Sequence, residues 1–378
     1  MKNFSCDIFC RVVDNYGDIG VCWRLARQLA DEFEISVRLW VDDLDSFARL
    51  CPDADARLDI QCCRKVEVRR WGEAFSEIAP ADLVIETFSC KLPEFYLARM
   101  DASQVWINLE YLCAEDWVEG CHKLPSPRPP LTRYFFFPGF TKKTGGLLLE
   151  RDLFARRDAF LKQGVGAFWR SLNMDVPPED TLKISLFSYE NAALCDLFNA
   201  FSSGSKKILC LVPEGRILPQ VASYFGAGAG PYDRGNLRVA VLPFVAQEKY
   251  DELLWACDIN FVRGEDSFVR AQWSCKPFVW QIYPQHDAVH WHKLDAFLDL
   301  YGRRLSVRAG KAVKCFWEAW NKEEAVQAAW EEFVDARFEL ADCGRDWAAE
   351  LSKNNLALNL LDFFQELGTM RAFKIEGQ

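Results

Sequence analysis

Short apolar runs alternate with amphipathic stretches along almost the whole chain. Residues 6–13 form a β-rich run, and residues 21–33 follow with Val21, Leu25, Leu29 and Phe33 at helical spacing. Residues 35–41, 82–86 and 105–108 continue the series as strands. This alternation predicts an α/β fold built on an open, mostly parallel sheet with helices on both faces. A second series of the same kind starts near Leu182. There, residues 182–187, 208–212, 237–242, 259–262 and 277–281 predict strands, and 192–201, 217–225, 248–257 and 267–274 the intervening helices. Between the two series lies 125–146, rich in Pro, Gly and Thr, which is expected to be irregular and to mark a boundary. A charged helix is expected from about Leu147, and residues 345–364 predict one long final helix. The expected architecture is two doubly wound, Rossmann-like domains facing a central cleft, with ligands at the carboxyl ends of the strands.

Composition narrows the function. The 378 residues, half of them hydrophobic, suffice for two or three domains and exclude a disordered or fibrous chain. Lys and Arg number 45 against 55 Asp and Glu, a net charge of −10 that argues against nucleic acid or an anionic membrane as partner. No run approaches the roughly 18 apolar residues of a membrane span, and Asp7 and Arg11 interrupt the first apolar run, so no secretory signal is expected. The 15 cysteines are scattered without a C-x-x-C pair. They read as free thiols of a cytoplasmic protein rather than as zinc ligands or disulfides.

Two loops carry candidate chemistry. The first, Val12-Val13-Asp14-Asn15-Tyr16-Gly17-Asp18-Ile19-Gly20, follows the first strand, and its glycines permit a tight turn. Asp18 either caps the following helix or serves acid–base chemistry; the nearness of Asp14 favours chemistry. The G-x-x-G spacing is not a dinucleotide fingerprint. Asp42 and Asp43 after the second strand are the main feature favouring a nicotinamide-dependent oxidoreductase.

The second loop, Arg263-Gly264-Glu265-Asp266-Ser267, joins a strand to a helix whose N-terminal N–H groups suit a phosphate. Arg263 can neutralise a diphosphate and Ser267 can add a hydroxyl. Glu265 and Asp266 either cap the helix or accept hydrogen bonds from ligand hydroxyls. Phe244 and Gln247 can stack on and hydrogen-bond a base, and Phe187 and Tyr189 add two aromatics at a strand end of the same series; singly each aromatic reads as core, but together they suit a nucleotide diphosphate. His286 and His290 have i,i+4 spacing, but neither an H-E-x-x-H pattern nor convergent cysteines accompany them, so no metal site is expected. His122 has no assigned role.

These residues resemble a known family. Asp7-Ile-Phe-Cys-Arg-Val-Val-Asp-Asn-Tyr-Gly-Asp-Ile-Gly20, Asn108-Leu-Glu-Tyr-Leu112, Leu124-Pro-Ser-Pro127, Phe137-Pro-Gly-Phe-Thr141, Thr144-Gly-Gly-Leu147 and Arg263-Gly-Glu-Asp-Ser-Phe268 are similar to motifs of the bacterial elongation factor P arginine rhamnosyltransferases, in the same order over nearly the whole chain. The resemblance implies a GT-B glycosyltransferase with an acceptor-binding domain at 1–148, onto which a C-terminal helix at about 352–378 packs back, and a donor-binding domain at 149–351. It implies inverting, metal-independent transfer of L-rhamnose from dTDP-β-L-rhamnose to an arginine of elongation factor P. The product would be α-rhamnosyl arginine, which supports translation of polyproline stretches. No cofactor is implied beyond the donor substrate. The partner would be the folded N-terminal domain of elongation factor P, with segments 108–117 and 122–140 either docking it or packing between domains. By the same resemblance Asp18 is the general base, Asp14 its partner, and Glu265 has a catalytic part. Phe187, Tyr189, Phe244, Gln247, Arg263, Glu265, Asp266, Ser267 and Tyr283 form the donor site. The remaining readings are the oxidoreductase and a non-catalytic module binding a nucleotide sugar or a translation factor.

Overall fold

The computed structural model describes residues 4–13, 16–72, 78–226, 228 and 230–376. It divides into two units: one runs to Arg151 and resumes at Glu350, and the other is Asp152–Ala349.

The first unit holds an eight-stranded sheet of β1 (Ser5–Cys10), β2 (Ser36–Val41), β3 (Ile60–Cys63), β4 (Val66–Arg70), β5 (Leu83–Thr87), β6 (Val105–Leu109), β7 (Pro125–Arg128) and β8 (Leu131–Phe136). The order is β3-β4-β2-β1-β5-β6-β8-β7. Pairing is parallel except at the edges, where β3–β4 and β7–β8 are antiparallel. α1 (Gly17–Glu32), α2 (Leu44–Leu50), α3 (Glu94–Leu97) and α4 (Trp117–Cys121) connect the strands. β5 and β6 are buried along their whole length, as strands covered on both faces must be.

That burial forces polar groups in the sheet to find partners. Asp7 in β1 is 0% exposed. It accepts from Arg38 Nε and Nη2, both at 2.6 Å, from Trp40 Nε1 at 3.1 Å, from the Ala81 N–H at 3.2 Å and from the Tyr96 hydroxyl. Arg38 is its register neighbour on β2. Removing one member of a buried pair strands the rest. Asp7→Ala is therefore expected to lower the unfolding free energy by about 3–5 kcal/mol, read as a lower urea midpoint; an unchanged midpoint would show the network to be dispensable.

The second unit holds a six-stranded sheet of β9 (Thr181–Leu186), β10 (Lys207–Pro213), β11 (Tyr232–Arg234), β12 (Leu237–Leu242), β13 (Ile259–Arg263) and β14 (Phe278–Gln281), ordered β11-β12-β10-β9-β13-β14. Only the edge pair β11–β12 is antiparallel. α5 (Leu153–Ala159) and α6 (Val165–Ser171) lead into it through a π-helical turn, Phe160–Gly164. α7 (Leu194–Ser203), α8 (Leu218–Phe225), α9 (Gln247–Ala256) and α10 (Asp266–Ser274) cross between strands; α11 (Val289–Gly302), α12 (Val307–Asn321), α13 (Gln327–Asp335) and α14 (Arg337–Leu351) follow. α15 (Leu356–Glu376) belongs to the first unit.

Several expectations need correction. The stretch 125–146 is not an irregular boundary: it begins with the β7–β8 hairpin on the edge of the first sheet. Pro125 and Pro127 are tolerated there because an edge strand leaves backbone donors unused. The helix expected from about Leu147 starts at Leu153. The single final helix is two, broken at 352–355. Asn354 Nδ2 donates to the Thr141 carbonyl and Asn355 Nδ2 to that of Leu149, each at 2.7 Å, while Asn355 Oδ1 accepts from the Leu358 N–H at 3.1 Å. Gly146 permits this close approach: at φ +79° a Cβ would sit 2.1 Å from the Asn354 carbonyl oxygen.

Candidate active site

Open parallel sheets bind ligands where the strand order reverses, at the carboxyl ends. In the first sheet the chain runs outward from β1 to β2 and then crosses to β5 on the other side of β1. In the second it runs from β9 to β10 and later crosses to β13. The connection from β1 into α1 carries Asp18, the loop after β9 carries Phe187 and Tyr189, and the turn from β13 into α10 carries Arg263–Ser267. Both candidate loops thus lie at the switch point of their own sheet.

β1 stops at Cys10 and α1 already begins at Gly17, so Gly20 lies inside the helix rather than in the turn. Tyr16 occupies the N-cap and Asp18 the first turn, where negative charge is stabilised by the helix end. Asp18 is therefore not the cap. It is 3% exposed, and its carboxylate accepts from the Val13 N–H at 2.8 Å on Oδ2 and from the Tyr111 hydroxyl at 3.2 Å on Oδ1. Asp14 lies outside the described residues. Tyr111, in the loop after β6, was missed because an aromatic at a strand end is usually core.

In the second unit β13 ends at Arg263, and Gly264 takes φ +58° to turn the chain into α10. The Ser267 hydroxyl accepts from the Arg263 N–H at 3.0 Å and donates to the Arg263 carbonyl, closing the turn. Arg263 is 7% exposed. Its guanidinium carbon lies 4.4 Å from the Phe187 ring centre and 4.5 Å from that of Tyr189, a cation between two aromatic faces. Tyr189 meets Tyr283 edge-on at 5.6 Å. Gln247, first residue of α9, donates to Asp266 Oδ2 at 3.1 Å. Glu265 stands at the N-cap of α10 without a side-chain capping bond, and Phe244 is half-buried just before α9. The structure thus gathers the predicted donor residues at one sheet edge.

Two supporting residues were not anticipated. Gln281, at the end of β14, accepts from the Ser188 hydroxyl at 2.6 Å and the Tyr189 N–H at 2.8 Å and so fixes the loop after β9. Tyr250 packs edge-on against Phe187 at 5.6 Å, and burial pushes its hydroxyl pKa up. Neither carries a local signal in sequence, since each acts through residues distant along the chain.

Other candidates have structural roles. Asp43 caps α2, accepting from the Ser46 N–H at 3.0 Å, and Asp42 accepts from the Val12 N–H at 2.9 Å. These contacts account for the two carboxylates that favoured an oxidoreductase. His290 Nδ1 accepts from the Gln285 N–H at 3.1 Å. The side chain of His286 lies outside the described ones, and no metal-holding cluster of His, Cys, Asp or Glu occurs among the described residues. No helix among the described residues is long and apolar enough to cross a membrane.

His122 Nδ1 accepts from the Phe137 N–H at 3.1 Å, and its ring lies 4.6 Å from that of Phe136. Burial, helped by the charge of Lys123, pulls its pKa down from 6.5 to about 4. Within that window the unfolded chain takes up a proton that the folded chain refuses. Stability from this group is therefore complete above pH 6.5 and lost as pH falls towards 4. His122→Gln keeps an acceptor without the titration. Melting of the variant is expected to fall less than that of the parent between pH 7 and about 4.5; parallel falls would refute this.

The fold places the protein first in a class. It is a two-unit GT-B glycosyltransferase fold, shared with a solved glycosyltransferase from Rickettsia africae at TM-score 0.56 and 10% identity, over 97% of this chain and 99% of that one. Sequence then gives the family. Residues 6–365 match Elongation-Factor P (EF-P) rhamnosyltransferase EarP, and the chain belongs to that family. The protein-arginine rhamnosyltransferase of Pseudomonas putida is 48% identical over 370 residues, covering 95% of this chain and 98% of its own. That of Pseudomonas aeruginosa is 46% identical over 374 residues, covering 96% and 99%. A solved structure described as the basis for EarP-mediated arginine glycosylation of translation elongation factor EF-P matches at TM-score 0.69 and 34% identity, over 96% of this chain and 99% of that one. The protein is a glycosyltransferase, and neither the oxidoreductase nor the non-catalytic reading finds support.

Proposed function

We propose that this protein transfers L-rhamnose from dTDP-β-L-rhamnose to an arginine side chain of EF-P, with inversion, in the cytoplasm. The first unit takes the acceptor, presented by the folded N-terminal domain of EF-P, and the second takes the donor. A guanidinium is a poor nucleophile because its lone pairs are delocalised and its pKa exceeds about 12. Asp18, with Asp14 beside it in sequence, grips the planar fork and takes the proton as the guanidinium nitrogen attacks C1 of the sugar. The C1–oxygen bond breaks on the opposite face, so one displacement turns the β-linked donor into an α-linked product. The electron pair leaves on dTDP, whose charge Arg263 and the N–H groups of α10, that of Ser267 among them, stabilise; the Ser267 hydroxyl itself is spent in closing the turn. Phe187, Tyr189, Phe244, Gln247 and Tyr283 hold the nucleoside, and Glu265 and Asp266 accept from sugar hydroxyls.

The main support is Asp18: a buried carboxylate held at both oxygens at the switch point, in a chain of this family. Incubation with folded EF-P and dTDP-β-L-rhamnose is expected to add one deoxyhexose to EF-P by intact mass. The same product is expected in excess EDTA, because fixed cationic and N–H groups do the work of a metal. An unmodified factor would overturn the function, and loss of product in EDTA with rescue by Mg²⁺ would overturn the metal-independent leaving-group assignment.

A further inference from the structure

The Val13 N–H and the Tyr111 hydroxyl reach opposite oxygens of Asp18, and they differ in kind. The Val13 N–H is part of the loop itself, whereas the Tyr111 hydroxyl comes from the loop after β6, on the far side of β5. Each oxygen of the carboxylate is thereby tied to a different loop. The Tyr111 ring is held in turn, stacked on Phe88 at 4.3 Å with 13° between planes.

Phe88 occupies an unusual backbone. Phe88, Ser89 and Lys91 have φ of +54°, +55° and +60°, in the left-handed region that such residues avoid. The loop is cross-pinned to the strand leading to Tyr111. The Phe88 N–H donates to the Leu109 carbonyl at 2.7 Å, and the Ser89 N–H donates to Asn108 Oδ1 at 3.1 Å. Asn108 Nδ2 donates back to Ser89 Oγ at 3.0 Å, and the Lys91 N–H donates to Glu86 Oε1 at 2.9 Å. Asn108 and Glu86 are both buried. Strained backbone over-determined by its surroundings concentrates at functional sites. Here the stack sits at the switch point of the first sheet, and its hydroxyl ends on the Asp18 carboxylate.

We infer that Tyr111 is a positioning residue for the transfer: the Phe88–Tyr111 stack holds a hydroxyl on Asp18 and so aims the base at the acceptor guanidinium. The inference rests on the reading of Asp18 as the base. An aromatic needed only for packing would do as well without its hydroxyl. A base free to swing loses alignment, and small misplacements of a reacting group carry large rate penalties.

Tyr111→Phe keeps the ring and the stack and removes only the hydroxyl. It is expected to lower kcat about tenfold, while KM for dTDP-β-L-rhamnose and for EF-P stays within about twofold and the melting temperature is unchanged. Asp18→Asn is assayed alongside it. Parental kcat in Tyr111→Phe beside an inactive Asp18→Asn overturns the positioning role and leaves the base reading standing. Full turnover in Asp18→Asn overturns the base reading and this inference with it. A raised KM for EF-P at unchanged kcat makes the hydroxyl an acceptor contact, and a lowered melting temperature with proportionate loss of active protein makes it structural; either result also overturns the inference.

Discussion

Asp18→Asn is expected to lower the rate of rhamnose transfer by about 10²–10⁴, the usual worth of a general base. Affinity for dTDP should stay within a few-fold. The substitution is nearly isosteric, and the amide oxygen can still accept from the Val13 N–H or the Tyr111 hydroxyl. What it removes is the negative charge and the proton acceptor. The amide cannot grip a guanidinium as an ion pair, nor take its proton while the C–N bond forms. The nucleotide is unaffected because its proposed contacts come from Arg263, Phe187 and Tyr189 in the other unit. Initial rates by intact mass and dTDP binding by calorimetry separate the two quantities. Near-parental turnover would remove Asp18 from the chemistry; lost turnover with equally lost dTDP binding would point instead to a general folding defect.

The proposed donor half of the site was more legible in sequence than the proposed acceptor half, and the reason is range. Arg263, Gly264 and Ser267 lie within five positions, and the turn that joins β13 to α10 is closed by bonds between them. A glycine between an apolar strand and an amphipathic helix announces such a turn locally. Asp18 was ambiguous between cap and base because its local signal suits both. Tyr111, a partner of its carboxylate, lies 93 residues away. Strand order was likewise illegible: nothing local says that β5 returns to the far side of β1, yet that crossing creates the switch point. Short edge strands such as β3 and β7 escaped because they are largely exposed and lack an apolar run. The break between α14 and α15 escaped because helical periodicity continues on both sides of Asn354 and Asn355, whose partners are backbone carbonyls in the 141–149 segment.

Arg263→Gln is expected to act on the other reactant. The guanidinium is held between two aromatic rings, 7% exposed, at the end of β13, the strand that pairs with β9 across the switch point. That environment raises the worth of a fixed positive charge, because little water competes with it. As the C1–oxygen bond breaks, charge grows on the diphosphate, and a preorganised donor aimed at such charge is worth about 10²–10³ in rate. Arg263→Gln should therefore lose about that factor in kcat/KM. Unlike Asp18→Asn it should also weaken dTDP by tenfold or more, since the diphosphate is already anionic in the ground state. Arg263→Lys tests whether charge alone suffices. An ammonium keeps the charge but loses the planar fork and its stacking on Phe187 and Tyr189, so the Lys variant should fall between parent and Gln. Parental kcat/KM in Arg263→Gln would mean that the N–H groups of α10 carry the leaving group unaided. A Lys variant as active as the parent would reduce Arg263 to a point charge and leave the aromatic sandwich without a part in catalysis.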